Sequence, residues 1–96
     1  MADREPKLVV AGHLFTLIDS FAHAIFFRVF TDGRKKAIRI DQRGNETKLS
    51  RSEAHAEIMW KVKSGKYRVG YETRVELTAS GEVCNVFGEP FHACKF

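Results

Sequence analysis

The sequence predicts an α+β fold, an antiparallel sheet of about five strands with one helix packed on one face, in the order β-β-β-α-β-β. Three observations predict it. A capped helical segment opens at Ser50 and stops at Gly65, strict alternation follows from Lys66 to Leu77, and an Asp32-Gly33 pair divides two apolar runs. All 96 residues read as a single domain.

Residues 8–18 are apolar at both parities, which suits a strand buried on two faces or a helix using Leu14, Leu17, Ile18 and Phe21. β-Branched Val9 and Val10, and the lack of a good N-cap before His13, favour the strand. Residues 19–24 then form a turn or loop. The runs 25–31 and 34–40 flank Asp32-Gly33 as a hairpin. A two-residue loop sets Thr31 opposite Arg34, pairing Phe27 with Ile38 and Ile25 with Ile40 as an apolar face. Phe26, Arg28, Phe30, Lys35, Ala37 and Arg39 then share the other face, and a loop of three to five residues changes that assignment. Residues 41–48 are a polar connection.

Ser50 and Glu53 have the spacing of a capping box, in which each side chain accepts from the other's backbone N–H. Ala54, Ile58 and Val62 form the core stripe, with His55 and Met59 flanking it. Lys61 and Lys63 suit the negative end of the helix dipole, and Gly65 is a left-handed stop. Tyr67, Val69, Tyr71, Thr73, Val75 and Leu77 then share one parity, the mark of a strand with one wet face. Ser80-Gly81 marks a second hairpin that pairs Leu77 with Cys84, Val75 with Val86 and Glu76 with Asn85. Pro90 ends that strand, and residues 91–96 add a short edge segment or pack as a tail. Ile58, Val62, Val75 and Leu77 are expected to build the core.

Sixteen basic and twelve acidic residues give a net charge of +4, an excess that favours loose association with polyanions or an acidic protein surface. A dedicated nucleic-acid binder carries a denser patch. Two cysteines and an N-terminus without the layout of a secretory signal point to a reducing cytoplasm. Gly12, His13, Asp19, Ser20, His23 and Arg28 interrupt the most apolar region, so it holds no apolar span of about 18 residues and no membrane segment is expected.

Nucleotide-binding glycine loops, a Gly-x-Ser-x-Gly elbow and a His-Glu-x-x-His helix are all missing from the sequence. Cys84, His92 and Cys94 have zinc-ligand chemistry, with His13, His23 or His55 as a fourth donor, but not the spacing of a zinc knuckle. Cys84 reads instead as a small hydrophobe on the core side of a strand. The expectation is a non-enzymatic protein with no cofactor, no metal and no catalytic residue.

Two groups have the chemistry of binding. Trp60 falls opposite the core stripe, beside Lys63, on the face expected to be solvated. Phe26 and Phe30, interleaved with Arg28, Lys35 and Arg39, suit base stacking with phosphate contact, a protein interface or the seam of a homodimer. The competing reading of Trp60 is a helix covered on two sides by the tail or the N-terminal segment, and that of Phe26 and Phe30 is burial beneath residues 8–24.

The segment Leu49-Ser50-Arg51-Ser52-Glu53-Ala54 leading through a glycine to a strand hairpin, with Gly88-Glu89-Pro90-Phe91-His92 after it, resembles small phage anti-CRISPR proteins over the C-terminal half. The resemblance implies an inhibitor that docks on a bacterial protein or nucleoprotein complex by surface contacts in the host cytoplasm. Many proteins of that group are acidic DNA mimics, and the basic balance here argues against that mechanism. The alternative expectation is a nucleic-acid-binding domain that uses the basic-aromatic face.

Overall fold

A computed structural model describes residues 8–87. Its elements are β1 (Val9–Asp19), β2 (Ala24–Phe30), β3 (Lys36–Ile40), β4 (Glu46–Ser50), α1 (Arg51–Lys63), β5 (Tyr67–Thr78) and β6 (Val83–Phe87). The strands form one antiparallel sheet of six, ordered β4-β3-β2-β1-β5-β6. The α+β class and the single helix follow the sequence, and β1 is the central strand that its two-faced apolar pattern predicts. Helix α1 carries the chain from the β4 edge back across the sheet to β5.

The sixth strand is β4, which lies largely within the expected polar connection. It pairs with β3 from Lys36↔Ser50 to Ile40↔Glu46. An edge strand needs little apolar content, and of its five residues only Leu49 packs against the core.

The first hairpin differs from the expected register by one residue. Its connection comprises residues 31–35, and the observed pairs are Phe26↔Ile40, Arg28↔Ile38 and Val29↔Ala37. Asp32 Oδ1 accepts the Arg34 N–H at 3.1 Å, and Gly33 and Lys35 both take positive φ, 99° and 57°. A slip of one residue turns every side chain over. Ile38 and Ile40 therefore share a face with Phe26, Arg28 and Phe30, while Ala37 and Arg39 point toward α1.

β5 does not keep one face throughout. Thr16 pairs with Tyr71 but Leu17 with Val69, so a bulge at Gly70 switches faces midway. Tyr67 and Val69 join the core under α1 with Phe15, Leu17, Phe27, Val29, Ala37, Ala54 and Ile58. Val75 and Leu77 lie on the opposite face with Phe30 and Ile38. The expected single core is thus two clusters on opposite faces.

The sheet curls to close the second cluster. Arg28 Nη1 donates to the Gly81 carbonyl at 2.9 Å, tying the β5–β6 turn to β2. Gly81 takes a φ of 95°, which favours glycine, and a Cβ there would press on the end of the Ile38 side chain where the turn approaches β3. In the second hairpin Val75↔Val86 and Glu76↔Asn85 pair as expected. Leu77, however, pairs with Val83 rather than Cys84, because a bulge intervenes. Cys84 is exposed, not on the core side.

The capping box is present. Ser50 N–H donates to Glu53 Oε1 at 2.8 Å and Glu53 N–H to Ser50 Oγ at 3.0 Å. Gly65 closes the helix with φ 78°, its N–H donating to the Val62 carbonyl.

Candidate functional site

The outer face of α1 presents Trp60 at 67% exposure. A chain of contacts ties down its neighbours. Arg39 Nη1 donates to both Glu57 carboxylate oxygens, at 2.8 and 3.0 Å. Glu57 in turn holds Lys61 Nζ at 3.5 Å, with the Glu one turn before the Lys as the helix dipole favours. The Lys61 ammonium stands 4.9 Å from the Tyr67 ring centroid and 5.7 Å from that of Trp60. Trp60 is thus an exposed ring beside a cation held by Glu57 and Tyr67. Lys63, in the last helical turn, is also exposed.

Arg39 belongs to this network rather than to the basic-aromatic face where the sequence places it. The changed hairpin register is the cause, since Arg39 follows Ala37 to the α1 side. Of the remaining residues of that face, Phe30 is 3% exposed and covered by the Arg34 guanidinium, 4.6 Å above its ring. Arg28 is half-buried and bonded to Gly81, and Phe26 is half-buried. Lys35 is exposed in the β2–β3 loop, and its carbonyl accepts the first N–H of α1, from Arg51, at 2.8 Å.

The predicted site therefore divides between the two ends of α1. Lys35 and Phe30 lie at the helix N-terminus, Trp60 and Lys63 near its C-terminus. The ten residue steps from Ser50 to Trp60 span roughly 15 Å at about 1.5 Å per step.

Sequence reasoning misses four further residues. At the Trp60 end, Phe21 in the β1–β2 turn is 78% exposed. It lies close to the helix C-terminus because Asp19 pairs with Tyr67, which Lys61 touches. At the other end Arg34, Lys36 and Lys48 join Lys35 around a groove of about 730 Å³. An exposed aromatic in a turn is a signal available in the sequence. Lys48 becomes visible only once residues 46–50 are known to be a strand.

Three aspartates shape the turns between strands. Asp19 Oδ1 accepts the N–H groups of His23 and Phe21 at 2.9 and 2.8 Å, and Asp41 Oδ1 those of Asn45 and Arg43 at 2.9 Å each. Hydrogen bonds of this kind stabilise the ionised form. They hold Asp19 below the usual aspartate range, chiefly through the His23 N–H, Asp41 chiefly through that of Asn45, and Asp32 chiefly through that of Arg34. A cleft of about 370 Å³ separates the Asp19 and Asp41 turns, but both carboxylates already serve their own loops.

Among the described residues no group of three or more His, Cys, Asp or Glu side chains is placed to hold a metal ion. Of the soft ligands singled out in the sequence, His92 and Cys94 lie outside the described residues. No helix among the described residues is long and apolar enough to cross a membrane. No protein-family model, curated protein or solved structure matches the chain significantly.

Proposed function

We propose that this protein is a non-enzymatic binding module that anchors to a partner protein through Trp60. The observation that carries the reading is a tryptophan 67% exposed on a helix whose neighbouring cation is held by Glu57 and Tyr67. A large ring on a rigid support loses little entropy on docking and buries much area, which is the character of an interface hot spot. The partner implied by the resemblance of the C-terminal half is a bacterial defence nucleoprotein complex, and the chain would act as a phage-type inhibitor by occupying its surface.

Expression of the chain in bacteria with an active CRISPR system tests the inhibitor reading, with phage plating as the readout. Plating should recover with the wild-type chain and fall again with Trp60→Ala. The purified variant should bind its target about 30-fold more weakly, the effect of losing a hot spot of about 2 kcal/mol. Its thermal midpoint should stay close to that of the wild type, because an exposed side chain contributes little to stability. Equal activity of the two chains would remove Trp60 from the mechanism.

The alternative, a nucleic-acid-binding domain, keeps the support of the exposed lysines at the helix N-terminus. It loses the stacking platform it relied on, because Phe30 is 3% exposed and Arg39 is engaged by Glu57. A steep fall in affinity for single-stranded DNA or RNA with rising salt would favour it.

A further inference from the structure

Where α1 begins, the β2–β3 loop, β3, β4 and the β5–β6 turn surround a half-open groove of about 730 Å³. Phe30, Ala37, Ile38 and Leu49 supply apolar surface to its lining, and Arg34, Lys35, Lys36 and Lys48 its positive charge. Two carboxylates also line it, those of Glu46 and Glu53. Glu53 is engaged by the Ser50 N–H at 2.8 Å, and Arg34 is paired with Asp32 at 2.8 Å. Among the described residues, no carboxylate lies within ion-pair distance of Lys35, Lys36 or Lys48. The groove thus combines an apolar lining with three ammonium groups that no described carboxylate pairs.

It also adjoins the β4 edge of the sheet, where, among the described residues, the strand has a neighbour on one side only. Exposed edges of this kind accept an added strand, and the alternation of an added strand sorts its side chains onto two faces. Among the described residues Phe30 is the only aromatic one in the lining, and Arg34 covers its ring. A single-stranded nucleic acid would find no open ring on which to stack a base.

We propose that this groove binds an extended acidic segment of a partner protein along β4. Its carboxylates meet Lys35, Lys36 and Lys48, while its alternate apolar side chains turn to the other face of the sheet, beside Leu49. The proposal rests on the reading of the chain as a protein-binding module, but on residues remote from Trp60, so the two fail separately.

Fluorescence anisotropy with a labelled peptide of alternating glutamate and leucine tests it. The controls are a peptide with lysine in place of glutamate and an oligothymidylate of similar length. The acidic peptide should bind, and raising the salt from about 50 to about 300 mM should weaken it, since the rim charges are solvent-exposed. Lys36→Glu combined with Lys48→Glu should lower its affinity at least about tenfold by replacing attraction with repulsion. Lys36→Ala with Lys48→Ala gives a milder loss in the same direction if the charge reversal perturbs folding. Trp60→Ala should leave peptide binding unchanged while weakening capture of the proposed partner about 30-fold. Failure of the acidic peptide to bind, equal binding of the lysine peptide, or insensitivity to the lysine substitutions would overturn the proposal. Tighter binding of the oligothymidylate would reassign the groove to nucleic acid.

Discussion

Gly12 lies in the central strand with Phe30 on one side and Val75 on the other. A Cβ added there would stand 2.7 Å from the Val29 carbonyl oxygen, a backbone atom that yields only if β1 and β2 separate. It would also press on Leu77 in the middle of the second cluster. Gly12→Ala should therefore destabilise the fold by about 1–3 kcal/mol, the usual cost of overpacking, and lower the urea midpoint accordingly. An unchanged midpoint would show that the two strands have slack at this point. In the sequence Gly12 is only a break in an apolar run. Its reason lies in Val29 and Leu77, two residues that topology alone brings beside it. Trp60 is the opposite case: its exposure was legible from the helix period because the atoms that decide it lie within a few turns. The fate of Phe30 was not legible, since the Arg34 that covers it is placed by a loop conformation with two positive φ angles, at Gly33 and Lys35.

Three turns each depend on an aspartate that accepts backbone N–H groups, and their acid response follows from the lowered carboxyl pKa values of Asp19, Asp32 and Asp41. A carboxylate with a depressed folded-state pKa stabilises the fold above its unfolded value, about 3.9 for aspartate, and loses that stabilisation as pH falls through the lower folded value. The thermal midpoint followed by circular dichroism should thus stay level from about pH 6 to 5 and decline below about pH 4. Asn at the three positions retains an acceptor for the turn but does not titrate. The Asp19→Asn/Asp32→Asn/Asp41→Asn chain should show a shallower decline, and an identical decline in both chains would place the acid-labile groups elsewhere. Turns of this kind also decide what the sequence discloses about strands. The Asp32-Gly33 hairpin was legible, but its five-residue length was not, and one residue of register moved Arg39 from a supposed binding face to Glu57. Alternation from Tyr67 to Leu77 announced a strand, yet the bulge at Gly70 divides its apolar residues between two cores. β4 was hidden because an edge strand with one packed residue resembles a loop.

At the scale of the molecule, α1 is a spacer between the two candidate contacts, with the groove at its capped N-terminus and Trp60 roughly 15 Å farther along it. The helix is seated by Ala54 and Ile58, both 0% exposed, so its two ends move together with the sheet. A standard interface of about 800 Å² per partner is wide enough to cover both contacts at once. Sites that share no side chains and lie this far apart affect binding independently. For a partner that touches both, the losses in binding free energy from Trp60→Ala and from Lys36→Glu/Lys48→Glu should add in the combined variant to within about 0.5 kcal/mol. Titration of one partner with the wild type and these variants measures the sum directly. If the combined loss falls short of the sum by more than about 1 kcal/mol, the partner can swing about one contact when the other is lost. If the lysine substitutions cost that partner nothing, the groove serves a different ligand. Additivity would instead identify the chain as a rigid two-point clamp, in which the helix length sets the spacing that a partner must match.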